Sequence, residues 1–455
     1  MNMTLSVVIL AAGKGTRMRS ALPKVLHPLA GYPILDHVMA TAARLSSDVL
    51  VVYGYEGDKI CRHLEKTSCR LVEQKNPAGT GHAVLQALPM IDSHQRVLVL
   101  YGDVPLISTA TLQHFIAKVP IDAIGLITAK VANPKGLGRI IRNDSGEMLG
   151  VVEDKDANLQ QQQINEINSG ILLAPAHLLA EYLPQVTANN QQQEYYLPDI
   201  IPKALAAGFP VIAECIEATE EIMGINDRVQ LAEAERYYQQ QAAKKLQLSG
   251  VTVIDPARLT IRGVLRCEAD VTFDVNVIIE GNVTIGTGCH IGAHSILRNT
   301  TIGNQVTVHP FSLIDGATIE DNCSIGPYAR IRPETTLAKD VKIGNFVEIK
   351  KSTIGEGSKI PHLSYIGDAI IGRSVNIGAG TITCNYDGKN KHVTTIDDNV
   401  FVGSNSALVA PVTIGEGATI GAGSVITQNA PAKQLTLTRA AQKTIARWQR
   451  EKEDH

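Results

Sequence analysis

Eleven Ile-Gly dipeptides fall between Ile285 and Gly421, and one more, Ile124-Gly125, lies elsewhere in the 455-residue chain. Within the cluster, the pairs Ile285/Ile291, Ile325/Ile343, Ile354/Ile366, Ile371/Ile377 and Ile414/Ile420 are spaced by six residues or a multiple of six. An aliphatic residue followed by a small one at this period is the mark of hexapeptide repeats in a parallel β-helix. The reason is steric. Each short strand turns one aliphatic side chain inward to stack on the coil below, and the small residue takes the turn to the next face. Three hexads close a triangular coil of roughly 18 residues. An antiparallel sandwich would show a period of two, without glycine in fixed phase.

The repeat begins near Val251 and fades after Ala430. Its longest interruption, Thr381 to Asp397, is polar and is expected to project outward, where functional loops tend to sit. Thr438 to Arg450 mixes basic and apolar residues without Gly or Pro and predicts a short terminal helix. With aromatics at only 4% and 38 glycines, the core must be built from Ile, Val, Leu and Ala.

The first half alternates apolar runs with helical periodicity. Strands are expected at Leu5–Leu10, Val49–Val52, Arg96–Leu100, Leu126–Ala129 and Val211–Ala213, with helices near Ile34–Leu45 and Ala83–Leu88. This order predicts an α/β domain with a mainly parallel, Rossmann-like sheet. Asp227 to Leu248 lacks Gly and Pro and reads as one linking helix of ~33 Å. The expected division is therefore 1–226, a linker at 227–249, and a repeat domain at 250–455 with its terminal helix.

Charge and cysteine usage narrow the surroundings. A formal net charge of −3 carries no basic excess, so neither nucleic acid nor an anionic membrane is an expected partner. The seven cysteines are scattered and never spaced CxxC, which suits a reducing cytoplasm. The first apolar run is too short to span a bilayer and has no Lys or Arg before it, unlike a signal peptide.

Three segments of the first half carry chemistry. Leu10-Ala11-Ala12-Gly13-Lys14-Gly15-Thr16-Arg17-Met18 follows a strand and precedes Lys24. A glycine-rich turn there lets backbone N–H groups approach phosphates. Neither common phosphate motif fits: Met18 replaces a third glycine, and no lysine follows Gly15. A plain turn would explain the glycines but not Lys14, Arg17 and Lys24 together. Tyr101-Gly102-Asp103 ends another strand, where open α/β sheets bind ligands. Asp103 could hold Mg²⁺ against phosphates or simply cap a helix. Gln74 with Gly79-Thr80-Gly81-His82 is a turn opening a helix, and a turn alone would explain it.

Together, residues 5–226 resemble the sugar-nucleotide pyrophosphorylases, nucleotidyltransferases of glycosyltransferase-A-like fold. The 10–18 stretch with Lys24 carries the resemblance, and Gly138-Arg139, Glu153, Asn168, Glu194-Tyr195-Tyr196 and Gly224-Ile225-Asn226 extend it. Joined to the hexapeptide half, a left-handed β-helix in such proteins, the whole chain resembles the bifunctional N-acetylglucosamine-1-phosphate uridylyltransferase/glucosamine-1-phosphate N-acetyltransferase family. The resemblance implies synthesis of UDP-N-acetylglucosamine, a bacterial peptidoglycan and lipopolysaccharide precursor, from UTP, glucosamine-1-phosphate and acetyl-CoA. It implies that Leu10, Ala11, Ala12, Gly13, Gln74, Gly79 and Thr80 hold uracil and ribose, beside Tyr101 and Gly102. Lys24 and Arg17 would act catalytically on the phosphates, together with Lys14. Asp103 and Asn226 would hold Mg²⁺, and Gly138, Glu153 and Asn168 would contact N-acetylglucosamine. Pro77-Ala78, before Gly79, departs from the family pattern of Gln and a larger apolar residue.

In the repeat half, Arg332 and Lys350 differ by one coil length and should stack as a basic pair suited to a sugar phosphate. A surface turn is the common place for a histidine, and His290, His294 and His309 fit it. His362 lies near the basic pair, and its imidazole can take a proton from an amine. By resemblance, Lys350, Tyr365 and Asn376 would bind the sugar phosphate, and Asn385 and Tyr386 would close the pocket, with Asn385 orienting His362. Ser404 would donate to the oxyanion. Ala379, Ser404, Ala422 and Arg439 would line the acetyl-CoA site together with Asn385 and Tyr386. Solenoids of this family form homotrimers with clefts between neighbours. A different reading is a monofunctional pyrophosphorylase with a structural or regulatory β-helix, as in glucose-1-phosphate adenylyltransferases. A structural solenoid would not require His362, the 381–397 loop or Arg439.

Overall fold

A computed structural model describes residues 4–448 of the chain. It divides into two compact units, one ending at Tyr238 and the next beginning at Gln239, and the division falls inside the helix Arg228–Leu248. That helix matches the expected 227–249 segment to within one residue at each end.

The first unit is built on a nine-stranded sheet. Its strands are β1 (Leu5–Leu10), β2 (Asp48–Tyr53), β3 (Arg70–Glu73), β4 (Arg96–Tyr101), β5 (Ile124–Lys130), β6 (Arg139–Arg142), β7 (Met148–Val152), β8 (Glu166–Pro175) and β9 (Val211–Ile216). The main path runs β9-β5-β8-β4-β1-β2-β3, and β6 pairs with β7 and β8. The pairs β1–β2, β1–β4, β2–β3 and β5–β9 are parallel. Strand β8 runs antiparallel to both β4 and β5. The central strands are buried on both faces, between one cluster that includes Val8, Val97 and Val99 and another that includes Val7, Ile9 and Leu98. This is why they read as continuous apolar runs rather than alternating ones.

The second unit is a parallel β-helix made of an eleven-stranded and a seventeen-stranded sheet. Ile279, Leu297, Ile314, Ile331, Ile349 and Ile366 pair in register on successive coils and are all buried. Each such side chain contributes about 1.5–3 kcal/mol by leaving water. Ile331 pairs with Ile349 and Ile349 with Ile366, so these coils take 18 and 17 residues, whereas in the coil that carries the hairpin Ile377 pairs with Val402 and the step is 25.

Two expectations change. The 381–397 interruption does not leave the coil as a whole. Ile382–Cys384 and Thr394–Ile396 remain strands of the solenoid, and the residues between them form the projection. Its tip is a tight hairpin with a Tyr386–Lys391 bridge, in which Asp387 accepts from the N–H groups of Lys389 and Asn390. The terminal helix predicted over Thr438–Arg450 is absent from residues 438–448, and 449–450 lie outside the described residues. Ile445 and Trp448 are exposed there. A helix this short is marginal without an apolar face to bury, so propensity alone does not form it.

Candidate functional sites

In the first unit, β1 and β4 lie side by side with Leu10 opposite Tyr101, so the Gly-rich turn and Tyr101-Gly102-Asp103 emerge together at the C-terminal ends of these central strands. The N–H of Gly102 donates to the Leu10 carbonyl at 2.9 Å and ties the two turns together. A cavity of about 210 Å³ opens there, lined by Leu10, Ala11, Ala12, Gly13, Lys24, Gln74, Pro77, Gly79, Thr80, Tyr101, Asp103 and Glu194, among others. The structure thus brings the three sequence segments together. Gln74 is buried, and its amide donates to the Gly79 carbonyl at 3.1 Å. Gly79 adopts φ +108, and a Cβ there would lie 2.6 Å from the Tyr195 carbonyl oxygen. Only glycine lets this turn reach the 194–196 segment so closely.

Lys24 is the pivot of the cavity. Its ammonium donates to Asp103 Oδ2 and, at 3.1 Å, to Asn226 Oδ1. One carboxylate and one amide oxygen therefore converge on a single cation position. Among the described residues, no group of three or more His, Cys, Asp and Glu could hold a metal. Two hard oxygens completed by substrate phosphates are the donor set Mg²⁺ accepts, so these residues fit that ion.

Beyond Tyr101 and Asn168, two further hollows continue the site. One is lined in part by Asp103 and Asn226, and the other by Gly138, Glu153 and Glu194. The antiparallel β8 delivers Asn168, whose N–H donates to the Gly138 carbonyl at 2.8 Å. Burial, aided by the charges of Asp199, Asp156, Glu194 and Asp154, pushes the Glu153 carboxyl up to about 6. Burial foremost also keeps the Tyr101 phenol protonated well above its ordinary range. Arg17 and Lys14 are exposed, and Arg17 lines a different hollow with Arg19, Asp227 and Arg228. Glu194 reaches both the first cavity and the Glu153 hollow, a placement that its sequence motif did not assign.

In the β-helix, strand pairing sets one column of turn residues. Asn345 pairs with His362, and Lys359 with Asn376 one coil on. Ile377 pairs with Val402, and Val402 with Ile420. Continuing that register stacks Asn345, His362, Ala379, Ser404 and Ala422 along one corner. Arg439 reaches this corner beside Ala422, its Cδ being 4.0 Å from where a Gly423 Cβ would lie. On the next face, Arg330 and Ile331 pair with Glu348 and Ile349, which places Arg332 beside Lys350 as predicted. Arg332 also pairs with Glu348 at 2.8 Å.

Lys391, from the projecting hairpin, joins this basic pair. Its ammonium beside Lys350 pulls the Lys350 pKa below its ordinary value, against the opposite pull of Asp368. Nothing in the local sequence marked Lys391, because only the hairpin brings it back to the coil. Asn385 does not orient His362. Its amide donates to Asp368 Oδ2 at 2.5 Å, and the imidazole Nδ1 of His362 lies 2.8 Å from Asn345 Oδ1. Asn385 is buried at the base of the hairpin. Tyr365 folds over Gly367, where a Cβ would lie 2.5 Å from its hydroxyl.

Family comparisons cover both units. The MobA-like NTP transferase domain matches residues 7–193, and the bacterial transferase hexapeptide (six repeats) matches 394–428. The GMPPB C-terminal domain matches 261–343 and 313–387. The chain is 49% identical over 447 residues to the bifunctional protein GlmU of Janthinobacterium sp. (strain Marseille), covering 98% of this chain and 99% of that protein. It is 51% identical over 449 residues to its namesake in Acinetobacter baumannii (strain AYE), with 98% and 99% covered. A third, from Ralstonia nicotianae (strain ATCC BAA-1114 / GMI1000), is 49% identical over 447 residues, with 98% of each chain covered.

Proposed function

The chain belongs to the family of the bifunctional protein GlmU, and from that premise we propose how its residues divide the synthesis of UDP-N-acetylglucosamine. The protein is a transferase with two activities. It moves an acetyl group from acetyl-CoA to glucosamine-1-phosphate, and it moves a uridylyl group from UTP to N-acetylglucosamine-1-phosphate with release of pyrophosphate.

In our reading, the first unit carries uridylyl transfer. The sugar phosphate attacks the α-phosphorus of UTP in line, so two anions must approach each other. Asp103 and Asn226 would hold Mg²⁺, which would supply charge neutralisation there. Lys24 adds a cation on the same side of the cavity, Lys14 adds charge on the exposed Gly13 turn, and Arg17, which lines a separate hollow, would have to swing toward the phosphates to act on them. The Gly13 turn and the Gln74–Gly79 turn bind the nucleoside, while Gly138, Glu153 and Asn168 bind the sugar.

The β-helix carries acetyl transfer. Arg332, Lys350, Tyr365 and Asn376 hold glucosamine-1-phosphate, with Lys391 as a third cation. His362 Nε2 accepts a proton from the sugar amine as its nitrogen attacks the thioester carbonyl. The new C–N bond forms, Ser404 donates to the oxyanion, and the C–S bond breaks to release CoA. Ala379 and Ala422 keep the corner narrow, Asn385 and Tyr386 close it from the hairpin, and Arg439 meets a CoA phosphate. We further propose a homotrimer in the cytoplasm. Exposed, stacked Phe311, Tyr328 and Phe346 offer apolar surface for assembly, and all seven cysteines are free.

The observation that carries this reading is that each unit holds its own reactive cluster: the convergent Asp103 and Asn226 oxygens in one, and the His362 column beside three cations in the other. Asp103→Ala should abolish uridylyl transfer and leave acetylation intact. His362→Ala should slow acetylation by roughly 10²–10⁴-fold and leave uridylyl transfer intact. A folded Asp103→Ala protein that loses both activities would sink the division.

A further inference from the structure

We propose that Asn345 is the positioning residue for His362: its side-chain oxygen accepts the Nδ1 proton and so leaves Nε2 unprotonated, as the base. The proposal rests on the assignment of His362 as the general base.

The imidazole is exposed and stands on a solenoid turn, where nothing about exposure alone fixes its ring or tautomer. A neutral histidine carries one proton, and the hydrogen bond made by one nitrogen decides which nitrogen that is. Here Nδ1 lies 2.8 Å from Asn345 Oδ1. With Oδ1 as the facing atom, the amide accepts, and this assigns the proton to Nδ1. The lone pair then sits on Nε2, the nitrogen that faces away from this bond.

The backbone holds the pair in place. Asn345 and His362 are register partners on adjacent coils. The preceding residues are in extreme contact: a Cβ on Gly344 would lie 1.8 Å from the Pro361 carbonyl oxygen. Glycine at 344 is therefore what lets the two coils close to strand-pairing distance and brings the amide under the ring. On the other side, the column neighbour is Ala379, which has no group to bond the imidazole. The Ser364 hydroxyl donates to the His362 carbonyl at 2.8 Å and fixes the backbone, not the ring. Asn385, expected in this role, is engaged by Asp368.

The test is the tautomer together with steady-state kinetics, on the full-length protein. In ¹⁵N-histidine-labelled enzyme, the His362 signals are assigned by their loss in His362→Ala. In the neutral imidazole, Nδ1 should give a pyrrole-type shift and Nε2 a pyridine-type shift. Asn345→Ala should mix the two tautomers and lower the kcat of acetyl transfer about tenfold or more, the scale found for outer-shell partners that orient metal-bound histidines. The KM values for glucosamine-1-phosphate and acetyl-CoA should move little. Asn345→Asp, which can only accept, should keep the wild-type tautomer and restore most of kcat. A purely structural asparagine would give no tautomer change and no rescue by aspartate. A wild-type His362 protonated on Nε2, or a folded Asn345→Ala with unchanged kcat and tautomer, overturns the proposal. If instead His362→Ala keeps full activity, the base assignment falls, while the tautomer measurement still reports on the Asn345 bond by itself.

Discussion

Glu153→Gln tests the electrostatics of the proposed sugar hollow through stability. The carboxyl is pushed up to about 6 in the folded protein, from an ordinary 4.5, with burial the leading cause. The native state therefore holds this proton more tightly than the unfolded chain. Between about pH 4.5 and 6, folding binds a proton, so stability falls as pH rises through that window. Above it the full penalty is present. A difference of 1.5 pKa units corresponds to about 2 kcal/mol. The side chain keeps partial access to solvent, so this figure is an upper one. Glutamine has a similar shape and no charge to desolvate. The variant should match the wild type in stability near pH 4 and exceed it by up to about 2 kcal/mol at pH 7.5. Asp199, also pushed up to about 6, gives a slope of the same sign that persists in the variant. Urea unfolding of the first transition, followed at half-unit pH steps, measures both curves. A variant-minus-wild-type difference that stays flat from pH 4 to 7.5 would refute the argument. So would one that grows toward low pH. Uridylyl transfer should weaken through a higher KM for N-acetylglucosamine-1-phosphate, because the residue faces that hollow.

Two further outcomes follow from the cation positions. Lys24→Met should bind Mn²⁺ more tightly than wild type in the absence of nucleotide, because the ammonium no longer competes for the Asp103 and Asn226 oxygens; titration followed by electron paramagnetic resonance measures it, and equal affinities would contradict the shared position. Lys391→Ala should raise the KM for glucosamine-1-phosphate by about tenfold, the worth of a charge-assisted hydrogen bond, and leave the KM for acetyl-CoA unchanged; an equal rise in both would remove Lys391 from the sugar-phosphate subsite.

What sequence reading reached, and what it missed, follows from how far apart the contacts lie. The Ile-Gly period exposed the β-helix because each coil repeats the same steric demand. It also placed Arg332 beside Lys350, since stacking depends only on coil length. The mixture of 17- and 18-residue coils was hidden, because the one-residue difference falls in a turn and leaves the inward aliphatic position of each strand intact. Strand β8 was missed although it carries Asn168. Its run is interrupted by Asn168, Ser169 and Gly170, and its register shifts there. Lys391 and Asn345 reach their partners through a hairpin tip and a neighbouring coil. Neither had a local motif to mark it. The terminal helix failed for the opposite reason: its local pattern was present, but Ile445 and Trp448 stay exposed instead of burying an apolar face.

The most direct measurement is a single reaction containing glucosamine-1-phosphate, acetyl-CoA and UTP with the wild-type protein and Mg²⁺. The products should be UDP-N-acetylglucosamine, CoA and pyrophosphate in equal amounts, with N-acetylglucosamine-1-phosphate accumulating when Asp103→Ala replaces the wild type. If wild-type protein couples UTP to supplied N-acetylglucosamine-1-phosphate but never consumes acetyl-CoA, the β-helix is a structural element and the two-activity account is wrong.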